Sequence, residues 1–316
     1  MFVAIIIFLV CLVGLGIFSD FAVKHSATLA SMLGISNLVI GITLVSIGTD
    51  ISEIFNSIIA NFLGHGDINV GDSIGSNLTQ MTLIFGLLPL ICGGFKVKRK
   101  EFVIIGICEI LALIIVFLVI EKGYFTRFDA FLMIITLIFY SIIIYSITKS
   151  DMLEKVNLMI ENKDARQKKK RYHGFIAIIS FIGVAICSYF LINAIIEISS
   201  YFNIQEYILS FLIVSIGTSM PELAVDISAL RRKKYNIAIG DIMGSCIVDS
   251  TLSIGIGQLL FPQKIVSNIA IQTILVVMVI AIIVTIIISV RQKVDKKMGV
   301  LLIAIYFIAF FFILSL

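Results

Sequence analysis

Charge is scarce in this chain of 316 residues: only 14% are Asp, Glu, Lys or Arg, against about 25% in an ordinary soluble domain. With 59% of residues hydrophobic and a mean hydropathy of +1.12, the apolar surface exceeds what one globular core can hide. A soluble enzyme, a disordered chain and a secreted disulfide scaffold are excluded. Alternation is missing too. The apolar runs are continuous, which rules out the in-and-out period of a membrane β-barrel. There is no Trp and there are only 3 Pro, neither of which decides a class. The 5 cysteines (Cys11, Cys92, Cys108, Cys187 and Cys246) form no CxxC pair, so no disulfide framework or zinc site is indicated. They read as small buried thiols. What remains is an all-α, polytopic membrane protein.

A helix needs roughly 20 apolar residues to span a bilayer. Ten such runs can be read, at about 2–19, 33–62, 68–92, 102–120, 125–147, 174–198, 206–230, 236–260, 267–290 and 298–316. The first run lacks a basic leader segment and is followed by Asp20, so it reads as a helix rather than a cleaved signal. Residues 149–173 form the one polar linker, with Lys168, Lys169, Lys170 and Arg171 in a row. It divides the chain into five-helix halves, 1–148 and 174–316. His25, His65 and His173 fall in loops and suggest no metal cluster.

The placement of positive charge tests this map. Of the 24 Lys and Arg, 21 fall on one side when alternate loops are counted: Lys24, the Lys96–Lys100 cluster, the linker, Arg231–Lys234 and Arg291–Lys297. The other side holds 3, Lys122, Arg127 and Lys264. The positive-inside rule then places the linker in the cytoplasm and both termini outside a cell membrane crossed many times. The basic loops are topological signals, and nucleic acid is not an expected partner.

The chain also repeats itself. VSIGTD at 45–50 returns as VSIGTS at 214–219, and GDSIGS at 71–76 as GDIMGS at 240–245, both at a spacing of 169 residues. At that offset 38–86 aligns with 207–255 without a gap, with 16 of 49 positions identical. Five helices separate the copies. An odd number means that they cross the membrane in opposite senses, giving two inverted five-helix repeats. Secondary transporters use that plan and put the ion site near the midplane, where the repeats meet.

Polar residues fall where such a site belongs. Thr49, Asp50 and Glu53 lie within one span, and Asp50 and Glu53, three apart, share a helical face. The second copy supplies Thr218, Ser219 and Glu222, and Asp249 takes the position of Gln80. Each charge at bilayer depth costs at least about 2.5–3.5 kcal/mol. Four converging carboxylates (Asp50, Glu53, Glu222 and Asp249) therefore call for cations or protons. Gly48 and Gly217 let the helix open, and Pro221 removes a backbone donor. Carbonyls plus carboxylates make an all-oxygen site suited to a hard cation, Ca²⁺ in particular. Ser76 and Ser245 are read as further ligands or as small packing residues. Asp72 and Asp241, after Gly71 and Gly240, are expected to cap helix starts. Glu109 and Glu197 have no repeat partner, and Glu109 lies deep enough to need a mate.

The GTDISE and GTSMPE segments, each followed by GDxxGS, resemble the two alpha-repeats of the cation/calcium antiporter superfamily, nearest to the prokaryotic sodium/calcium exchangers. The resemblance implies ten helices, a cytoplasmic linker, and alternating access in which the first and sixth helices slide past the other eight. It implies that Glu53 and Glu222, helped by the carbonyls of Thr49 and Thr218, coordinate Ca²⁺. It assigns Na⁺ to Ser219, Ser76, Ser245, Gln80 and Asp249. Three positions depart from the family pattern: Asp50 replaces the usual serine, Ser52 the usual proline and Gln80 the common asparagine. Loss of the proline is expected to leave the first helix less sharply broken, and Asp50 adds an ionisable group that can take a proton.

The function expected is therefore not enzymatic but secondary antiport of Ca²⁺ against Na⁺, with H⁺ in place of Na⁺ or Mg²⁺ in place of Ca²⁺ as alternatives. The partners are the two ions and the lipid bilayer, in a monomer, with no cofactor. An intramembrane aspartyl hydrolase is a poor fit, because paired acid–base catalysis has no use for symmetric, threonine-flanked glutamates. A passive cation channel would lack counter-ion-dependent flux.

Overall fold

The computed structural model describes residues 2–33, 48–160, 170–233, 235–265 and 268–315. Ten helices follow one another in them: α1 (Phe2–Met32), α2 (Ile51–Leu63), α3 (Gly66–Cys92), α4 (Arg99–Glu121), α5 (Arg127–Ile160), α6 (Lys170–Phe202), α7 (Glu206–Arg231), α8 (Tyr235–Leu260), α9 (Asn268–Arg291) and α10 (Lys296–Leu314). Nine of them are long and apolar enough to cross a membrane, and the described part of α2 adds an apolar helix of 13 residues. Residues 38–47 of the first repeat and 161–169 of the linker lie outside the described residues.

The boundaries correct the sequence reading in four places. α1 does not stop at Asp20 but continues through Lys24 and His25 to Met32. An isolated charge is easily carried on a helix face and does not end the helix. α5 runs on to Ile160 and α6 starts at Lys170, so helix intrudes on both ends of the expected linker. His25 and His173 are consequently helical, with their Nδ1 atoms 3.0 Å apart. The fourth difference is a small antiparallel ribbon, β1 (Phe95–Lys96) against β2 (Lys293–Val294), in a chain expected to be wholly α-helical.

Apolar residues cover every face of most helices, and burial then reports position in the bundle. α3 and α8 are the most enclosed, whereas α1, α5, α6 and α10 expose most of their surface. α1 and α6 pack along one another, and Gly183 meets the Phe18 ring there. α3 and α7 approach much more closely. Gly71 and Gly75, four residues apart on α3, face the backbone of Tyr207 and Phe211 on α7. Small residues at this spacing bring helices together in a lipid environment, where no hydrophobic force does so.

Contacts between loops bear on the helix parity. β1 follows α3 and β2 follows α9, and the two strands pair. Phe95 stacks on Tyr235 at the start of α8. His65, after α2, meets Glu206 at the start of α7 at 2.7 Å, and Gln263, after α8, donates to the Asn61 carbonyl at 3.1 Å. Each contact joins segments that the alternate-loop count assigns to the same face.

Two outcomes follow. A methyl group at Gly75 would lie 2.2 Å from the Phe211 carbonyl oxygen, so Gly75→Ala must push α3 and α7 apart. Overpacking of this kind costs about 1–3 kcal/mol, which thermal unfolding in detergent will register as a lowered midpoint. The proposed orientation gives the second outcome. A Ser150→Cys reporter is expected to resist membrane-impermeant thiol reagents in intact cells and to react in inverted vesicles; the opposite pattern would reverse the topology.

Candidate functional site

Equivalent residues of the two halves take up the same backbone turn at the start of a helix segment. Asp50 precedes α2 with φ −83° and ψ 13°, and Ser219 interrupts α7 with φ −83° and ψ 5°. Both angles fall in the sparsely populated bridge between helix and strand. In the second copy Pro221 stands in the first turn of the new helix segment, where its missing N–H costs nothing. In the first copy Ser52 stands there; the chain before Gly48, on which the expected softening of the break depends, lies outside the described residues. The Ser52 hydroxyl lies 2.8 Å from Glu53 Oε2 and 3.4 Å from the Thr218 carbonyl.

A second pair of irregularities matches the first. Residues Thr79–Ile84 of α3 and Asp249–Ser253 of α8 form wide, π-type turns. Such turns are rare and concentrate at functional sites. They carry Gln80 and Asp249, and Gln80 Nε2 donates to Asp249 Oδ2 at 3.3 Å. Residues related by the repeat offset thus touch one another.

The hydroxyls cross over between halves in the same manner. Thr49 Oγ1 lies 3.3 Å from Ser245 Oγ, and Ser76 Oγ lies 3.4 Å from Thr218 Oγ1. Every residue singled out from the sequence (Thr49, Asp50, Glu53, Ser76, Gln80, Thr218, Ser219, Glu222, Ser245 and Asp249) is buried. All lie on the broken segments of α2 and α7 or on α3 and α8.

What these groups lack is donors. Among the described residues, neither carboxylate oxygen of Glu222 has a hydrogen-bond partner from another residue, nor does Glu53 Oε1, Asp249 Oδ1 or Ser219 Oγ. Buried oxygens without donors are uncommon and expensive. The convergence is looser than four carboxylates on one point: among the described residues no three His, Cys, Asp or Glu side chains close on a common position. Any ion held here is shared with hydroxyls, amides and backbone carbonyls.

Two residues were missed in the sequence. Asp72 does not cap a helix: α3 begins at Gly66, so Asp72 is interior to it and buried. It accepts hydrogen bonds from Asn56 Nδ2 and Thr218 Oγ1, both at 3.0 Å, and so ties α2, α3 and α7 together. Asp241 is likewise buried within α8. Asn56, one turn after Glu53 on the same face of α2, was the signal available for the Asp72 contact. A cavity of about 670 Å³ runs between α1 and α7; its wall includes Thr49 and Gly217, and also Asp20 and Lys24 of α1 and Arg232 just after α7.

Inverted, broken helices with unsatisfied oxygens at their breaks define a secondary ion transporter. Comparison with known proteins narrows the class. The family described as sodium/calcium exchanger protein matches residues 3–146 and 172–315, two stretches displaced by 169 residues, and the chain belongs to this family. The sodium/calcium exchanger MaX1 of Methanosarcina acetivorans is 28% identical, the match covering 97% of this chain and 98% of that one. An uncharacterised membrane protein of Methanocaldococcus jannaschii is 28% identical over 92% of this chain and 91% of its own. Among solved structures, the sodium-calcium exchanger NCX_Mj soaked with Na⁺ and Sr²⁺ matches with a TM-score of 0.60 at 25% identity, covering 97% of both chains. The H⁺/Ca²⁺ exchanger CAX matches in fold with a TM-score of 0.71 at 14% identity, over 99% of this chain and 85% of that one.

Proposed function

We propose that this protein is a secondary antiporter that exchanges Ca²⁺ for Na⁺ across the cell membrane by alternating access. The observation that carries this reading is that both carboxylate oxygens of Glu222 and Oε1 of Glu53, buried beside the equivalent turns at Ser219 and Asp50, meet no hydrogen-bond donor from another described residue. Oxygens of that kind are complementary to a hard cation, which offers charge without needing an acceptor. Ca²⁺ accepts six to eight oxygens at about 2.3–2.6 Å in flexible geometry, whereas Mg²⁺ keeps several waters and a tight octahedron. A site built from carboxylates and opened backbone favours the larger ion.

In this reading Glu53 and Glu222 hold Ca²⁺ with the carbonyls of Thr49 and Thr218. Ser219, Ser76, Ser245, Gln80 and Asp249 serve flanking Na⁺. Asp72, with both oxygens hydrogen-bonded, is the brace that holds Thr218 and α2 in place. Antiport requires that charged and empty sites differ in cost. Carboxylates paired with cations can be carried past the low-dielectric core, and bare ones cannot. The loosely enclosed pair α1 and α6 is the element that moves against the rest. Site residues all come from one chain, so a monomer suffices.

NCX_Mj was soaked with Na⁺, whereas CAX exchanges H⁺. Uptake of Ca²⁺ into proteoliposomes under separately imposed Na⁺ and pH gradients tests the coupling ion. Na⁺-driven uptake is expected; uptake driven by the pH gradient alone would replace Na⁺ with H⁺, and uptake indifferent to both gradients would point to a channel. Glu53→Gln and Glu222→Gln each bring an amide's donors toward the cation. Each is expected to lower uptake by roughly tenfold or more, about 1.4 kcal/mol or more of ion binding, with folding retained. A folded variant with full exchange would remove that glutamate from the site. Asp50→Ser deletes one negative charge beside Glu53 and is expected to change the number of counter-ions moved per Ca²⁺, read from the reversal potential. An unchanged reversal potential would leave Asp50 with no part in coupling.

A further inference from the structure

Glu109 lies midway along α4, outside both motif pairs, and is fully buried. Its Oε1 accepts from Ser250 Oγ at 3.0 Å, and Ser250 Oγ in turn accepts from Asn77 Nδ2 at 2.8 Å. Among the described residues its Oε2 has no hydrogen-bond partner, and Asn77 Oδ1 has none either. No ion pair among the described residues involves it. The titratable groups that face it are Cys108 of its own helix, Tyr140 of α5, and Cys246 and Asp249 of α8. α9, packed along α4, offers none in its apolar stretch, and its Arg291 lies at the helix end. No cation therefore faces Glu109, and an ionised carboxylate here would have one neutral hydroxyl as its sole donor.

Two occupants could relieve that cost. A metal ion needs a shell of several oxygens and would have to share Glu109 with Ser250 and Asn77, since among the described residues no three acidic, His or Cys side chains close on one point. A proton needs a single oxygen. On Oε2 it removes the charge, and the resulting hydroxyl is a donor for a neighbouring acceptor.

We propose that Glu109 is a proton-binding site linked through Ser250 to the cation site at Asp249. Ser250 follows Asp249 directly within the wide turn Asp249–Ser253, so the hydrogen-bonded chain Asn77–Ser250–Glu109 ends one residue from the family's ion-binding position. While Asp249 carries an uncompensated charge, Glu109 keeps its proton. A cation at Asp249 reverses the local field, the carboxyl ionises, and the proton passes to water. By reciprocity, proton occupancy of Glu109 weakens cation binding by the same factor. The linkage rests on the antiport reading, but proton binding by Glu109 does not.

The full-length protein in detergent or lipid tests the two parts separately. Infrared difference spectra between acid and alkaline buffer, without Ca²⁺, are expected to contain a carboxylic-acid carbonyl band that disappears in Glu109→Gln. Ser250→Ala removes the hydroxyl from Oε1 and is expected to shift that band, which keeps the assignment testable should Glu109→Gln misfold. Spectra identical to the parent in both variants would overturn the proton site. For the linkage, Ca²⁺ is added in weak buffer with a pH dye. Glu109→Gln is expected to release up to one proton fewer per protein, so its apparent Ca²⁺ affinity changes up to tenfold less per pH unit. Unaltered release alongside loss of the band would overturn the linkage alone. A parent protein that shows the band but releases no proton on Ca²⁺ addition would overturn the linkage while leaving Glu109 a proton site, and the antiport reading fails separately, if Ca²⁺ uptake is indifferent to both gradients.

Discussion

Carboxylates held at the depth of the hydrocarbon core are the constraint on which this structure depends. Each costs several kilocalories per mole unless a positive charge or a dense set of donors accompanies it. The protein supplies few donors to Glu53, Glu222 and Asp249, and the helices around them are organised to keep those groups apart from lipid. That is why the two helices with the most polar sequences, α3 and α8, are the most enclosed, while apolar α1, α5, α6 and α10 form the outer wall. The close approach of α3 to α7 through Gly71 and Gly75 brings Thr218 within hydrogen-bonding distance of Asp72.

Backbone irregularity serves the same end. An unbroken helix satisfies its own carbonyls and presents only side chains. The turn at Asp50, the break at Ser219, and the wide turns beginning at Thr79 and Asp249 change both the aim of side chains and the availability of main-chain oxygens. In the second copy Pro221 stands in the first turn after the break. In the first copy a serine hydroxyl reaching across to the Thr218 carbonyl occupies the same place.

Much of this was legible beforehand, for identifiable reasons. Hydropathy alone locates long apolar helices, and the paired Gly-Thr-x-x-x-Glu segments declare a duplicated site because chance rarely keeps polar residues in register. Helix ends were less legible. Asp20, Lys24 and His25 looked like a loop, yet helix continues through them, since nothing in Asp-Phe-Ala-Val-Lys-His breaks one. Asp72 was misread as a cap because Asp favours helix starts, and this stretch of sequence holds two Gly-Asp pairs, Gly66-Asp67 and Gly71-Asp72, of which the first opens the helix. The mate of Glu109 among the described residues could not be read at all: Ser250 is an ordinary residue in sequence, and only the packing of α4 on α8 gives it that role.

The contact between Gln80 and Asp249 has a consequence for how such a molecule can arise. Residues that occupy the same place in both copies and also touch must lie on the pseudo-symmetry axis. In a dimer of two identical halves each would face its own duplicate. Two aspartates would confront each other with like charge, and two glutamines would bring no charge to the centre. Joining both halves in one chain releases this position from self-complementarity, so that a donor can be set against an acid. The asymmetric centre of the bundle is thus available only to a fused duplication, and it is the place where relatives with the same fold are free to differ in the ions they carry.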